Sequence, residues 1–522
     1  MTSKLQSEKT QAEIDESLFK ISECGLSDAD REAALAALDT YVEKKKSKFS
    51  GYQTSQELNY SSEFSKYLDV LLNNVGDPFV SGTFKVNTKF VERAVLDYFA
   101  KLWHAPDRHT VIPEESYWGY VLSMGSTEGN LYALRNARDY LSGKALWIDK
   151  KPSHPSLQRV PSVTHSENAL KPVLFYSEDT HYSIDKAKDI LLFPTFSDVG
   201  ESFYPGECPI KTETGKWPQK VPSLSTGAID LDKLCALVEF FASRGFPIAI
   251  NFNYGTTFKG ALDDVSGAID VLLPILSKYG LDERTLNVVL EDGKVVQSIR
   301  NGYWFHIDGA LGASYAPFLE KAKEQGLDIG TGILPSFDFR NPIHSIVTSG
   351  HKNIGTPWPS GVYLTKQKYL LSFSNINYIG TQDSTLAGSR NGFSALLFWL
   401  YLAKNSYDIQ MRKILCQLKM SEDLYQRLKK LSGELGCNLH VQRSPLSLSV
   451  LFLCPRNDIV EEFSLSTQTE NGIKYAHIFV MEHVTHELID QFIERLHQKG
   501  AFEQKEETDR SSKLMTPEVE IL

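Results

Sequence analysis

The chain has 522 residues, 42% of them hydrophobic and 23% charged, with a formal net charge of −10 and a pI near 5.8. That length suits a large α/β domain with flanking pieces, and the acidic balance argues against nucleic acid or an anionic membrane as a partner. The six cysteines (Cys24, Cys208, Cys235, Cys416, Cys437 and Cys454) include no C-x-x-C pair. The N-terminus has no apolar signal core and no apolar run approaches about 18 residues, so a cytoplasmic protein without structural metal is expected.

In chain order, residues 1–110 read as an arm and helical segment. Helical signals cover 28–46, and Phe90, Ala94, Val95, Tyr98, Phe99 and Leu102 are spaced along one helix face. Residues 111–394 read as the large domain, with β-rich runs at 173–176, 248–252, 304–307, 345–348 and 361–365 separated by helix-length segments. That alternation predicts a mainly parallel sheet covered by helices. Two stretches rich in Pro, Ser, Thr and Gly, 150–171 and 197–227, read as loops, and 282–302 as a polar excursion. Residues 395–502 predict a smaller α+β domain whose last helix is capped by Thr485, and the charged tail 503–522 predicts disorder.

Four segments suggest chemistry. Gly125-Ser126-Thr127-Glu128-Gly129-Asn130 opens a helical pattern. Free amides and the helix dipole there suit a phosphate, with the Ser126 and Thr127 hydroxyls as extra donors, although an ordinary helix start explains the motif equally well. His181 follows the run 173–176; it could lie over an aromatic ring and handle protons, or be a hydrogen-bonded loop residue. Asp308 ends the apolar run 304–307, where a carboxylate needs a partner. A helix N-cap is the plain explanation; a protonated pyridine nitrogen is the chemical one. Lys352 lies in Ser349-Gly350-His351-Lys352-Asn353-Ile354-Gly355, a glycine-flanked turn after 343–347. An amine so placed can hold pyridoxal 5'-phosphate (PLP) as a Schiff base if it is neutral, with Ser349 and His351 beside the phosphate. A weaker signal, Asn251-Phe252-Asn253-Tyr254-Gly255-Thr256-Thr257, ends another strand with a hydroxyl that can bond the cofactor's ring oxygen, although Thr and Gly at a strand end are also common turn chemistry. These groups fall at successive strand ends, where open α/β sheets collect ligands, and their order makes chance a poor explanation.

Taken together the residues resemble the group II PLP-dependent amino-acid decarboxylases, in the branch of histidine, serine and related decarboxylases. The matching pieces are Gly76-Asp77-Pro78-Phe79, Asn87-Thr88-Lys89-Phe90-Val91-Glu92-Arg93, the 125–130 loop, Thr180-His181-Tyr182-Ser183, Gly255-Thr256-Thr257, His306-Ile307-Asp308-Gly309-Ala310, the Lys352 turn with Gly355-Thr356-Pro357, and Gly388-Ser389-Arg390-Asn391-Gly392, within roughly 60–500. The resemblance implies PLP fold type I (aspartate aminotransferase-like) with a seven-stranded sheet, and a homodimer with active sites at the interface. It implies that His181 stacks on the ring, Thr257 contacts the ring oxygen, Asp308 pairs with the pyridine nitrogen and Lys352 forms the Schiff base. It also implies a lid, matched by 374–384, whose Tyr378 is expected near the protonation step.

Some positions depart from the histidine-decarboxylase pattern. Phe393 stands where histidine is usual, Phe84 where tyrosine is common, and Trp358 and Ser360 alter the run after Pro357. If Phe84, Asn87, Trp358 and Phe393 line the substrate pocket, an aromatic or aliphatic amino acid is as credible as histidine. The expected reaction is release of CO2 and an amine; transamination, oxidative decarboxylation to an aldehyde, and a non-catalytic PLP-fold binding protein are the alternatives.

Overall fold

A computed structural model describes residues 14–108, 112–150, 166–212 and 214–502; the expectations for 1–13, most of the loop 150–171 and the tail 503–522 fall outside these. Strands β1 (Tyr117–Leu122), β2 (Val173–Phe175), β3 (Ile248–Asn253), β4 (Arg284–Val289), β5 (Val295–Arg300), β6 (Tyr303–Asp308), β7 (Ser345–Ser349) and β8 (Gly361–Lys366) follow in chain order. Six of them form the central sheet, in the order β1-β8-β7-β6-β3-β2. β2, β3, β6 and β7 pair in parallel, while β8 is antiparallel to both β7 and β1, so every strand but β8 shares one direction.

These runs are apolar throughout because helices cover both faces of the sheet. Side chains alternate: Ile248, Ile250 and Phe252 enter one core with Leu237, Val238 and Leu272, and Ala249 enters the other with Leu134 and Trp304. The helix Ser126–Leu141 lies across β6, β7 and β8 on this second side.

The sheet has six strands among the described residues, not seven. The β-rich polar run that could have extended it folds back on itself, β4 pairing antiparallel with β5 as a separate hairpin. β1 has no clear sequence signal, because Gly119 interrupts it and glycine weakens a strand. Here the glycine is required: a Cβ at Gly119 would lie 2.1 Å from the Tyr363 carbonyl oxygen. The 197–227 stretch is not all loop. Phe196–Phe203 is a helix whose Thr195 and Asp198 form a reciprocal cap. On the helix Lys89–Leu102, Val95, Leu96, Phe99 and Leu102 are buried, whereas Phe90 (65% exposed) and Ala94 face outward.

After β8 come the short hairpin β9 (Asn375–Ile376) and β10 (Thr381–Gln382) and the helices Gly392–Lys404 and Tyr407–Glu434. Strands β11 (Ser449–Leu453), β12 (Ser466–Glu470) and β13 (Ile473–Phe479) then make an antiparallel sheet in the order β11-β13-β12. Leu424, Leu428, Val450, Phe452, Ile478 and Phe492 fill its own core, and Thr485 caps the final helix by accepting from the Leu488 amide. No helix among the described residues is long and apolar enough to cross a membrane.

One ion pair binds the parts around β1. Arg390 and Glu92 meet with side chains 1% and 0% exposed. Glu92 also accepts from the Val121 amide and Asn74 Nδ2, both at 2.9 Å, and Arg390 donates to the Gly76 carbonyl at 3.1 Å. Removing one charge leaves the other buried and uncompensated. Glu92→Gln is therefore expected to lower stability by about 3–5 kcal/mol, read as a lower urea midpoint; an unchanged midpoint would contradict this role.

Candidate active site

Because every sheet strand but β8 runs the same way, their C-terminal ends lie along one edge. Gly125 follows β1, His181 follows β2, Thr257 follows β3, Asp308 ends β6 and Lys352 follows β7. This is the edge where open α/β sheets bind ligands.

At one end the 125–127 loop meets the 349–351 segment. Ser126 Oγ lies 2.8 Å from Ser349 Oγ. Gly125 has φ 70° and ψ −169°, and no side chain caps the helix it precedes, so the first amides and the dipole are left for an anion. A Cβ on Gly125 would come within 2.7 Å of His351 Cε1, so only a glycine lets loop and histidine approach this closely. Thr127 sits half-buried on the first helical turn. Glu128 does not oppose an anion, because it turns inward and accepts the Ser123 and Met124 amides at 2.7 and 2.9 Å. Its carboxyl is raised by burial despite those bonds.

At the other end stands Asp308, buried. Its hydrogen bonds among the described residues come from neutral donors, Asn130 Nδ2 at 2.8 Å and the Ala310 amide at 3.2 Å. Asn130 also donates to Ser183 Oγ at 2.9 Å and takes His306 Nε2 at 3.0 Å on its carbonyl oxygen. His306 Nδ1 meets Ser345 Oγ at 2.8 Å, and burial holds this imidazole neutral by lowering it to about 4. Ser183 contacts His181 Nδ1 through its hydroxyl at 2.8 Å and its amide at 3.2 Å. His181 is held below the usual histidine range first by burial, with Asp308 opposing and the Lys352 cation adding to the shift.

Lys352 lies in a π-type turn, Gly350–Ile354, at φ −93° and ψ −109°. Protein atoms crowd its amine; burial lowers it to about 8 while Asp308 pulls it upward. Burial and the Lys352 cation likewise lower His351 to about 4.

Sequence reasoning missed Asn130 as a side-chain donor, Ser183, His306 and the segment 53–58. Asn130 lay inside the phosphate motif, and His306 shares a strand face with Asp308 two residues on, a period-two signal that could have found it. The segment 53–58 carries no motif. Gln53 is buried and donates to the Thr257 carbonyl, and Leu58 and Ser55 pack over Gly355. It thus runs between two rims of the cleft. The Thr257 side chain is exposed at the strand end, while neighbouring Thr256 is buried and bonds the Ala261 amide.

The tentative pocket residues are not brought together. Trp358 and Phe393 join Phe64 in an aromatic cluster, with Trp358 Nε1 on Ser394 Oγ at 3.0 Å. Asn87 bonds the Phe84 carbonyl inside its own turn, and Phe84 is exposed. The stretch 374–384 docks on 76–83 through Thr83 Oγ1, which donates to the Tyr378 carbonyl at 2.8 Å. The Tyr378 side chain is 83% exposed, so one chain gives its phenol no fixed place against Lys352.

Among the described residues this buried carboxylate has only neutral donors in hydrogen-bond contact, and the Lys352 amine, although it feels the charge, makes no ion pair with it, so a directly paired cation is missing. The pyridinium of PLP supplies that cation, and its phosphate suits the uncapped helix start with Ser126, Ser349 and His351. With the aldehyde falling to Lys352, the donor set fits the whole cofactor. The site and sheet are those of a PLP enzyme of the aspartate aminotransferase-like fold.

Residues 68–438 match the pyridoxal-dependent decarboxylase conserved domain, and the chain belongs to that family of amino-acid carboxy-lyases. It is 31% identical to the histidine decarboxylase of Vibrio campbellii over 83% of this chain and 86% of that protein. It is 30% identical to serine decarboxylase 2 of Oryza sativa subsp. japonica over 86% and 75%. Among solved structures, the L-methionine decarboxylase of Streptomyces sp. 590 is 42% identical, with a TM-score of 0.86 and coverage of 93% and 97%.

Gly125→Ala would strain a positive-φ position and push on His351. The affinity of apoenzyme for PLP should fall at least about tenfold, measured by equilibrium dialysis; unchanged binding would place the phosphate elsewhere.

Proposed function

We propose that this enzyme decarboxylates an L-amino acid with an unbranched apolar side chain, methionine foremost, holding its cofactor covalently on Lys352. The observation that carries the reading is the Lys352 amine, lowered to about 8 by burial and set at the same sheet edge as Asp308 and the anion-binding helix start. The substrate class is supported by the 42% identity to a methionine decarboxylase, against 31% and 30% to histidine and serine decarboxylases.

PLP, when bound, supplies an electron sink for the bond to the departing carboxylate. Lys352 would hold the cofactor, and burial makes its neutral amine far more accessible than that of a solvated lysine. Asp308 keeps a proton on the ring nitrogen. The amides at 126–127, with Ser126, Thr127, Ser349 and His351, take the phosphate, and Thr257 offers its hydroxyl to the ring oxygen. His181, neutral and held through Nδ1, covers the ring. Tyr378 holds the proton that returns to Cα, and it is supplied by a second copy of the chain. Its exposure in a single chain supports that reading, as do the exposed apolar residues Leu68, Leu71, Val86 and Phe90 on the 68–90 segment that the 374–384 stretch docks against, which a homodimer would cover.

In a screen of the twenty amino acids with added PLP, methionine should give the fastest CO2 release, with 3-methylthiopropylamine as product and neither keto acid nor peroxide. Faster turnover of histidine or serine, or formation of a keto acid, would overturn the assignment. Lys352→Ala should abolish turnover. Capture of PLP by apoenzyme needs the neutral amine, so its rate should climb about tenfold per pH unit below 8 and level off above it, followed by stopped-flow absorbance. A rate still climbing at pH 10 would mean an unshifted lysine. Finally, mixing inactive Lys352→Ala with Tyr378→Phe should restore activity through mixed dimers; no restoration would place Tyr378 in its own subunit's site.

A further inference from the structure

Among the described residues, Asn130 is the one side chain that touches both arms of the ring end of the site. Its Nδ2 donates to Asp308 Oδ2 at 2.8 Å and to Ser183 Oγ at 2.9 Å, and its Oδ1 faces His306 Nε2 at 3.0 Å. The amide cannot be turned over, because Oδ1 would then face the Asp308 carboxylate. Its orientation fixes the rest of the chain of donors. Oδ1 can only accept, so His306 carries its proton on Nε2 and receives the Ser345 hydroxyl on Nδ1 at 2.8 Å. Ser183 Oγ already accepts from Asn130, so its single proton goes to His181 Nδ1, which also accepts the Ser183 amide. His181 is thereby a neutral ring with its proton on Nε2.

We infer that Asn130, anchored by His306, is a positioning residue that orients the Asp308 carboxylate and, through Ser183, sets the protonation state of His181. The inference rests on the reading of Asp308 and His181 as cofactor ligands, but its physical content is present before any cofactor binds. Two arms leave one amide. The first keeps Asp308 Oδ2 occupied, so that the carboxylate faces the cleft in one orientation. The second gives the neutral imidazole a hydroxyl donor that the imidazolium cannot use, which disfavours protonation of His181.

The test is a pH titration of protein labelled with [15N]histidine and free of PLP, the His181 signal being assigned from its absence in His181→Gln. In the wild type, Nδ1 should be pyridine-like and Nε2 pyrrole-like at neutral pH. In Asn130→Ala the His181 midpoint should rise by about one unit, because the Ser183 hydroxyl is free to turn away. Ser183→Ala should reproduce that rise, and the double variant should rise no further, since both substitutions break one relay. The arms separate in PLP binding to apoenzyme. Asn130→Ala should raise the Kd about tenfold, and Ser183→Ala, which leaves Asp308 its donor, by much less. Asn130→Ser, too short to reach either neighbour, answers the same questions if the alanine chain does not fold. An unmoved His181 midpoint in the Asn130 variants, or additive rises in the double variant, overturns the inference. Failure of the wild type to bind PLP would instead strike the functional reading and leave the titration result intact.

Discussion

A carboxylate at the end of a buried strand must be satisfied by donors, and Asp308 is satisfied from outside its own strand. Asn130 reaches it from the first turns of the helix whose uncapped N-terminus is the candidate phosphate end. The distance between the two ends of the cofactor site is therefore set by one rigid element, the helix Ser126–Leu141, lying over β6 and β7. Had the carboxylate been paired with an arginine, the protein would be electrically complete without a ligand. Neutral donors stabilise the carboxylate geometrically while leaving its charge to be matched by a cofactor.

A second buried charge is treated in the opposite way. Glu92 and Arg390 neutralise each other and are further bonded by Val121, Asn74 and Gly76. This pair ties the turn at 74–76, the helix Lys89–Leu102 and the 388–392 loop to β1, immediately ahead of the phosphate loop. It is scaffold, with no charge left over for a ligand. The contrast between Asp308 and Glu92 rests on one physical ground, whether a buried carboxylate is directly ion-paired within the protein.

Much of the candidate site's placement was legible in the sequence because its residues sit at strand ends, and strand ends are marked by a switch from apolar runs to Gly, Ser and Thr. Asp308, His181, Lys352 and the 125–127 loop are each identifiable in that way. β1 was not, because Gly119 breaks its pattern for the sake of a close approach by Tyr363 that only three dimensions reveal. The helix Phe196–Phe203 was hidden by composition, though its Thr195-x-x-Asp198 cap was there to be read. The segment 53–58 was not legible at all, since Gln53 reaches Thr257 across 204 residues of chain. Exposed Phe90 illustrates a different limit: helical periodicity gives a face, but not whether that face meets this chain's core or something else.

β8 is the one strand of the central sheet that runs backwards, and this bears on how Lys352 is held. Pairing from Ser345↔Thr365 to Ser349↔Gly361 makes the lysine's turn the closed end of a hairpin in the interior of the sheet. Gly350 donates to the Ser360 carbonyl at 2.8 Å and Thr356 to the Gly350 carbonyl at 2.9 Å, cinching the base of that turn. The strands that carry the turn lie between β1 and β6, so the base of the turn opens only with that ladder, which belongs to the high free-energy class of openings. The conformational entropy of ordering the backbone at the base of that turn is consequently lost when the chain folds, before any ligand binds.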